Sequence, residues 1–291
     1  MHEAEAKCIL SSHGRMNPYR GCSHGCIYCD SRSKCYGFAH DFSDVEVKVN
    51  APELLENALL HKRKRSMIGT GSMCDPYQDA EEKYRITEKC ALIAEKYGFG
   101  FTFITKSSRC LRDIDIFSCI NEKTKCVVQM TLTTSDTNVC RILEPNVSDT
   151  YERAEALERF KNAGIPSVVW LSPFLPYIND TEENLRSLLE ICAAVGVRHI
   201  VNFGIGLTLR EGSREYFYRE LDRHFPGLSD RYRHDFGDSY VCASQNNDRL
   251  MRIFTDFCDK YGMGSDPGHA FAYLGEFEDK RMGNQLALDI F

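Results

Sequence analysis

The run I-T-E-K-C-A-L-I-A-E-K-Y-G-F-G-F-T-F-I-T-K-S-S-R-C-L-R-D-I-D-I-F-S-C-I-N-E-K-T-K-C-V-V-Q-M-T-L-T-T, residues 86–134, changes its period three times. Residues 86–98 carry apolar side chains at helical spacing and stop at Gly98, a residue suited to a left-handed C-cap. FGFTFIT (99–105) is a short apolar run of strand length. SRCLRDIDIFSCINEK (108–123) returns to the helical period and CVVQMTLTT (126–134) to strand. Helices and strands that alternate at this length make βαβ units around a parallel sheet.

The rhythm extends in both directions. Upstream, APELLENALLHKRKR (51–65) reads as a helix with Pro52 in its first turn, and SMIGTGS (66–72) as a strand running into glycine. Downstream, TYERAEALERFKNAG (150–164) follows a cap at Ser148 or Asp149, and IPSVVWLSPFLP (165–176) is a strand that breaks at prolines. TEENLRSLLEICAAVG (181–196) and RHIVNFGIG (198–206) supply one more helix and strand. With a strand near residues 15–20, this makes about six β/α units, short of the eight that close a full barrel. The fold class expected is α/β: a partial (βα)6 barrel of TIM type over residues 1–210. Residues 211–291, with helices near 213–222 and 246–261, are expected to form a helix-rich C-terminal extension packed on that core.

Bulk properties narrow the function. The 291 residues carry a formal charge of −6, which opposes a general nucleic-acid binder but leaves room for a local basic groove. HKRKR (61–65) is the candidate run, although cations also suit the C-terminal end of a helix. The polar, acidic start MHEAEAKC carries no export signal, and no apolar run approaches the ~20 residues of a membrane helix, so a cytoplasmic protein is expected. Of the 14 cysteines, Cys8, Cys90, Cys110, Cys119, Cys126, Cys140, Cys192, Cys242 and Cys258 stand apart from one another and are expected to fill core space as small hydrophobes.

Cys22, Cys26 and Cys29 are different. They fall within R-G-C-S-H-G-C-I-Y-C (20–29), directly after the first strand, where parallel β/α folds place their chemistry. The other strand ends are also furnished: G-S-M-C-D-P-Y after the second, T-K-S (105–107) after the third, T-T-S-D (133–136) after the fourth and S-P-F-L-P (172–176) after the fifth. Structural zinc would need a fourth ligand, for which Cys35 and His24 are the candidates. A four-iron cluster held by three thiolates would instead leave one iron open for a small molecule. Tyr28, just before the last cysteine, would then shield the cluster and offer a surface to a nucleobase. Without a distant partner pair of cysteines, the spacing favours the cluster.

A CxxxCxxC loop after the first strand of a six-unit β/α chain resembles the radical S-adenosylmethionine (SAM) superfamily. N-P-Y-R-G-C-S-H-G-C-I-Y-C (17–29) narrows the resemblance to the spore-photoproduct-lyase-like branch, often labelled DNA repair photolyase. G-T-G-S-M-C-D-P-Y-Q (69–78), I-T-K-S (104–107), T-L-T-T-S-D (131–136), L-E-P-N (143–146), A-G-I-P (163–166) and N-Q-L-A-L-D-I-F (284–291) resemble further landmarks of that branch in order. The resemblance implies an enzyme in which Cys22, Cys26 and Cys29 ligate a [4Fe-4S] cluster and SAM chelates the open iron. One electron, from a donor such as flavodoxin or ferredoxin, would split SAM into methionine and a 5′-deoxyadenosyl radical that abstracts hydrogen from the substrate. The substrate is open: nucleic acid is one candidate, a peptide side chain another. A non-catalytic zinc or cluster protein is the alternative from a different class.

Other assignments follow the resemblance. Lys106 matches a position whose ammonium contacts the SAM carboxylate, and Thr131 a hydroxyl position that does likewise. Asp75 either contacts SAM or orders its loop. The branch's lyases carry a hydrogen-donor cysteine two residues before a serine that precedes an aspartate; here Ser72 occupies the donor position and Cys74 the SAM-side position. Cys74 is therefore a candidate catalytic and cofactor-side thiol in a shifted register. Glu144 and Arg153 are candidates for a pair that buttresses the fourth strand end. Trp170 to Pro173 are candidates to flank adenine.

Overall fold

The computed structural model describes residues 1–281, so the landmark at 284–291 lies outside the described residues. The chain begins with β1 (His2–Ala4), β2 (Tyr19–Arg20), β3 (Glu46–Lys48), α1 (Ala51–Leu60), β4 (Met67–Thr70), α2 (Asp79–Tyr84) and α3 (Ile86–Tyr97). It continues through β5 (Gly100–Thr105), α4 (Ile114–Lys123), β6 (Cys126–Thr131), α5 (Thr137–Leu143), α6 (Thr150–Asn162), β7 (Ser167–Trp170), α7 (Glu182–Val195) and β8 (His199–Val201). β9 (Gly206–Thr208), α8 (Ser213–His224), α9 (Leu228–Phe236), β10 (Val241–Ala243), α10 (Asn247–Tyr261) and α11 (Pro267–Gly275) follow.

Strands β4 to β8 form one parallel sheet in chain order, each paired with the next. The expected α/β class and the partial barrel are what the chain adopts. The first barrel strand is shorter than the expected 15–20. It is a single parallel bridge between Arg15 and Gly69, flanked by amide hydrogen bonds from Met16 to Gly69 and from Gly69 to Gly14, both 2.8 Å. Pro18 lacks an N–H and cannot continue the ladder. Beyond it, β2 leaves the barrel to pair antiparallel with β3, which also pairs parallel with β1. Among the described residues, β8 gains at the far edge only a bridge from His199 to Gly264, and the two edges do not meet, which leaves the barrel open on one side.

Several elements differ from their expected bounds. α1 ends at Leu60, leaving HKRKR beyond the helix rather than in its last turn. Residues 108–113 form a 3-10 turn before α4. The strand expected at 165–176 shrinks to Ser167–Trp170, bounded by Pro166 and Pro173. The short helices α2 and α5, too brief for a periodicity signal, are additional; Asp136 caps α5 by accepting the Asn138 and Val139 amides. Asp149 caps α6 in a reciprocal box with Glu152.

The core lies between the sheet and its outer helices. Phe103 and Phe117 stack with centroids 4.6 Å apart, and Phe101 and Phe160 pack against them. Burying one such ring contributes roughly 1.5–3 kcal/mol. Most of the scattered cysteines are buried as free thiols, but Cys8 and Cys119 are exposed. Residues after 210 pack back on the barrel. Phe217, Tyr232 and Cys242 share a cluster with Cys26, Ile27 and Tyr28, while Ala270 and Leu274 of α11 cover Val127, Val168 and Val201. No described helix is long and apolar enough to cross a membrane.

Candidate active site

The cysteine loop is held from three sides by backbone contacts. The Cys22 amide donates to Phe42 O at 2.9 Å, and the Ile27 amide to Leu143 O at 2.9 Å. The Asn146 amide donates to His24 O at 3.2 Å, and its side chain to Ser23 O at 3.0 Å. Gln78 accepts the Ser23 amide at 2.9 Å and donates to Gly21 O at 3.2 Å. Gly21 has φ +84°, and a Cβ there would lie 2.6 Å from Phe42 O, so only glycine fits before Cys22. Cys22 and Cys26 are buried, Cys29 half-buried, and all three line one cavity of about 760 Å³.

Asp75, in the loop after β4, is a junction rather than a free carboxylate. Its Oδ1 accepts the Thr105 hydroxyl at 2.6 Å and the Tyr77 amide at 2.8 Å; its Oδ2 accepts the Lys106 amide at 2.8 Å and lies 3.4 Å from His24 Nδ1. Burial works against its charge, but His24 and these hydrogen bonds outweigh it and hold the carboxyl at about 2. Asp75 thus ties the cysteine loop, through buried His24, to the second and third strand ends. Cys74 also lines the cavity. It is buried, its Sγ donates to Tyr19 O at 3.0 Å, and burial pushes the thiol up to about 12.

Tyr28 departs from its expected role. It is buried, does not line the cavity, and its hydroxyl donates to Glu144. The ring belongs to the apolar cluster behind the loop, with the Lys106 ammonium between it and the cavity. Glu144 and Arg153 form a fully buried ion pair at 2.5 Å, not a surface one. Arg153 also donates to Thr131 O at 2.8 Å and to Ser148 O at 2.7 Å, fastening the end of β6 to the segment that carries Glu144.

Lys106 and Thr131 both line the cavity. Among the described residues the Lys106 ammonium has no hydrogen-bond or ion-pair partner; the Tyr28 ring centroid is 5.8 Å away. Burial opposes its charge, yet Cys26 and Glu144 beside it hold its pKa above the ordinary value. Cys35 is outside the cavity: it is exposed and accepts from Arg210 at 3.6 Å.

The same cavity continues along the open side of the barrel, bounded by unlike walls. Trp170, Phe203 and Phe271 form one wall, with Phe203 and Phe271 stacked at 6.1 Å and Phe203 65% exposed. His13, Arg15, Lys62, Lys64 and Arg65 stand on the other. Arg65 is engaged by Tyr97 O and Asp279, whereas Arg15, Lys62 and Lys64 have no side-chain partner among the described residues. Gln129 lies in the floor, donating to Thr102 and accepting from the Trp170 indole, both at 2.8 Å. A glutamine in the middle of the otherwise apolar strand CVVQMT is the signal by which this floor could be found from sequence.

The cysteines suit a multi-iron group better than a single ion. Four thiolates or imidazoles on one tetrahedral zinc, at ~2.3 Å or less, would stand roughly 3.8 Å apart or nearer. Cys22, Cys26 and Cys29 do not gather within 4.8 Å; among the described residues only His2, His40 and Glu46 do. Burial pushes Cys22 up and Cys26 up to about 12, so each is a neutral thiol until a cation displaces its proton.

The Radical SAM superfamily profile matches residues 16–189. An uncharacterized protein of Mycobacterium tuberculosis is 29% identical over 262 residues, covering 86% of this chain and 75% of that one. A protein of Pseudomonas phage M6 named radical SAM Nalpha-GlyT isomerase is 25% identical over 185 residues, 63% of this chain but 38% of its own length. Among solved structures, a spore photoproduct lyase mutant superposes with a TM-score of 0.62 at 13% identity, covering 86% of this chain and 74% of that one. The cysteine loop, the open β/α barrel and these matches converge: the chain belongs to the radical SAM superfamily of enzymes, built on the fold of spore photoproduct lyase.

Proposed function

We propose that Cys22, Cys26 and Cys29 ligate a [4Fe-4S] cluster, that SAM lies between it and the strand ends, and that the substrate is a polynucleotide. When bound, cluster and SAM supply one-electron cleavage of the sulfonium to methionine and a 5′-deoxyadenosyl radical, which takes a hydrogen atom from the substrate. The observation that carries this reading is one cavity lined by three cysteines and by Lys106, whose ammonium has no partner among the described residues. Lys106 pairs with the carboxylate of SAM, and the Thr131 hydroxyl, fixed through its backbone by Arg153, hydrogen-bonds beside it. Asp75 orders the loops around the cofactor. Cys74 sits at the cofactor side as a neutral thiol. The electron comes from a one-electron carrier of flavodoxin or ferredoxin type.

The substrate class rests on the two walls of the open side. Unpartnered cations facing stacked, partly exposed aromatic rings suit phosphates on one side and bases on the other. Spore photoproduct lyase, which shares the fold, has been solved with a dinucleoside spore photoproduct. A peptide substrate would leave the basic wall without a counterpart.

Anaerobic reconstitution with iron and sulfide, followed by reduction and low-temperature electron paramagnetic resonance, tests the cofactor reading. The expected result is a reduced-cluster signal that shifts on adding SAM, with 5′-deoxyadenosine formed, and loss of both in Cys22→Ala, Cys26→Ala and Cys29→Ala. One tightly bound zinc and no iron would overturn it. Stimulation of 5′-deoxyadenosine formation by single-stranded DNA tests the substrate class.

A further inference from the structure

Two imidazoles and a carboxylate meet on the small sheet that leads into the cysteine loop. The parallel register of β1 with β3 sets His2 opposite Glu46, and the loop before β3 returns His40 beside them. The two rings meet edge to face with centroids 4.9 Å apart. One donor atom from each of His2, His40 and Glu46 lies within 4.8 Å of the others, and none of the three residues lines the active-site cavity.

The hydrogen bonds around these rings fix which nitrogen is free. His40 Nδ1 lies 2.9 Å from Asp41 O, and a carbonyl can only accept, so Nδ1 carries the proton. His2 Nδ1 lies 3.0 Å from Asp44 Oδ2, which asks for the same tautomer. Both Nε2 lone pairs are therefore presented. His40 Nε2 is itself buried without a hydrogen-bond partner, 3.7 Å from Glu46 Oε2. That gap is too long for a hydrogen bond. It is close to what an ion bridging nitrogen and oxygen at about 2.0–2.2 Å would occupy after small side-chain rotations. Metal-binding histidines characteristically donate their second N–H to a carboxylate or a backbone carbonyl. Both do so here.

We propose that His2, His40 and Glu46 form a second metal site, separate from the cysteines, that binds one divalent transition-metal ion of the zinc class. Two neutral imidazoles and one carboxylate suit such an ion better than magnesium or calcium, which prefer all-oxygen shells. The ion touches no reacting atom. It fastens β1 to the 40–46 segment, whose Phe42 carbonyl accepts the Cys22 amide, and so braces the cysteine loop from behind.

The test uses the full chain with its cluster reconstituted, so that the cysteines are already occupied. Zinc is titrated against a chromophoric chelator, and bound metal is counted after gel filtration. One zinc per chain is expected beyond the iron. His40→Ala and Glu46→Gln should each weaken it by at least about 10-fold, and Asp44→Asn, which alters the carboxylate shared by His2 and the Met1 amine, by about 10–100-fold. Zinc should raise the unfolding temperature of the parent protein but not of His40→Ala. His40→Gln provides the same comparison should His40→Ala not fold. No zinc beyond the cluster cysteines, or an affinity unchanged in both His40 variants, would overturn the site. Iron loading and SAM cleavage are read separately, so loss of this site does not bear on the cysteine assignment.

Discussion

Asp75 and Arg153 organise the site through contacts that each use a buried charge. Asp75 has its carboxyl lowered from 3.8 to about 2, against burial, by His24, Thr105 and the Lys106 amide. A depressed acid stabilises the fold above its unfolded value and ceases to do so as pH falls through its folded value. The contribution is about 2 kcal/mol, complete above 3.8 and lost towards 2. Asp75→Asn should therefore be less stable than the parent near neutrality, with the gap narrowing as pH drops through that window. Urea unfolding across the pH series measures it, and a gap independent of pH would refute the account. Arg153 is a stricter case, because Glu144→Gln leaves a guanidinium with no solvent access beside a neutral amide. Removing one partner of such a pair costs about 3–5 kcal/mol. The expected loss in a denaturant titration exceeds that of any exposed ion-pair deletion in this chain.

Among the elements, the cysteine loop explains why distant sequence landmarks travel together. G-T-G-S-M-C-D-P-Y-Q contributes Asp75 and Gln78, and L-E-P-N contributes the Leu143 carbonyl, Glu144 and Asn146; all of them make contacts that hold the loop in place. Gly21 is the tightest point. In Gly21→Ala the left-handed backbone costs about 1–2 kcal/mol, and the Cβ meets a carbonyl that cannot move without releasing Cys22. Iron bound per chain should fall severalfold while far-ultraviolet circular dichroism is unchanged; full iron loading would show that the loop tolerates the change. The β/α rhythm was legible because long helices and buried strands differ in period. The first barrel strand was not, since one bridge leaves no periodic trace. The burial of Tyr28 is not legible for a related reason: its partner, Glu144, is 116 positions away, and adjacency to a cysteine says nothing about which way a ring faces.

For the molecule as a whole, the departure from a closed barrel and the charge distribution are connected. An eight-stranded barrel would seal the side where Arg15 and Phe203 now face a common channel. The net charge of −6 argued against nucleic acid, but charge averaged over 291 residues hides a local wall of one sign. HKRKR illustrates the point: α1 stops at Leu60, and Lys62, Lys64 and Arg65 line the channel beyond it. If the channel takes a polynucleotide, the two walls should fail differently. Arg15→Ala and Lys64→Ala should each weaken single-stranded DNA binding across sequences and reduce the salt slope by ~1. Phe203→Ala should cost about 1–3 kcal/mol of binding, the value of one base stack, and leave the salt slope unchanged. Fluorescence anisotropy with a short oligonucleotide, repeated over a salt series, separates the two terms. Equal slopes in all variants would mean that the basic wall meets no phosphate. An unaffected Phe203→Ala would mean that the exposed rings serve only to cover α11.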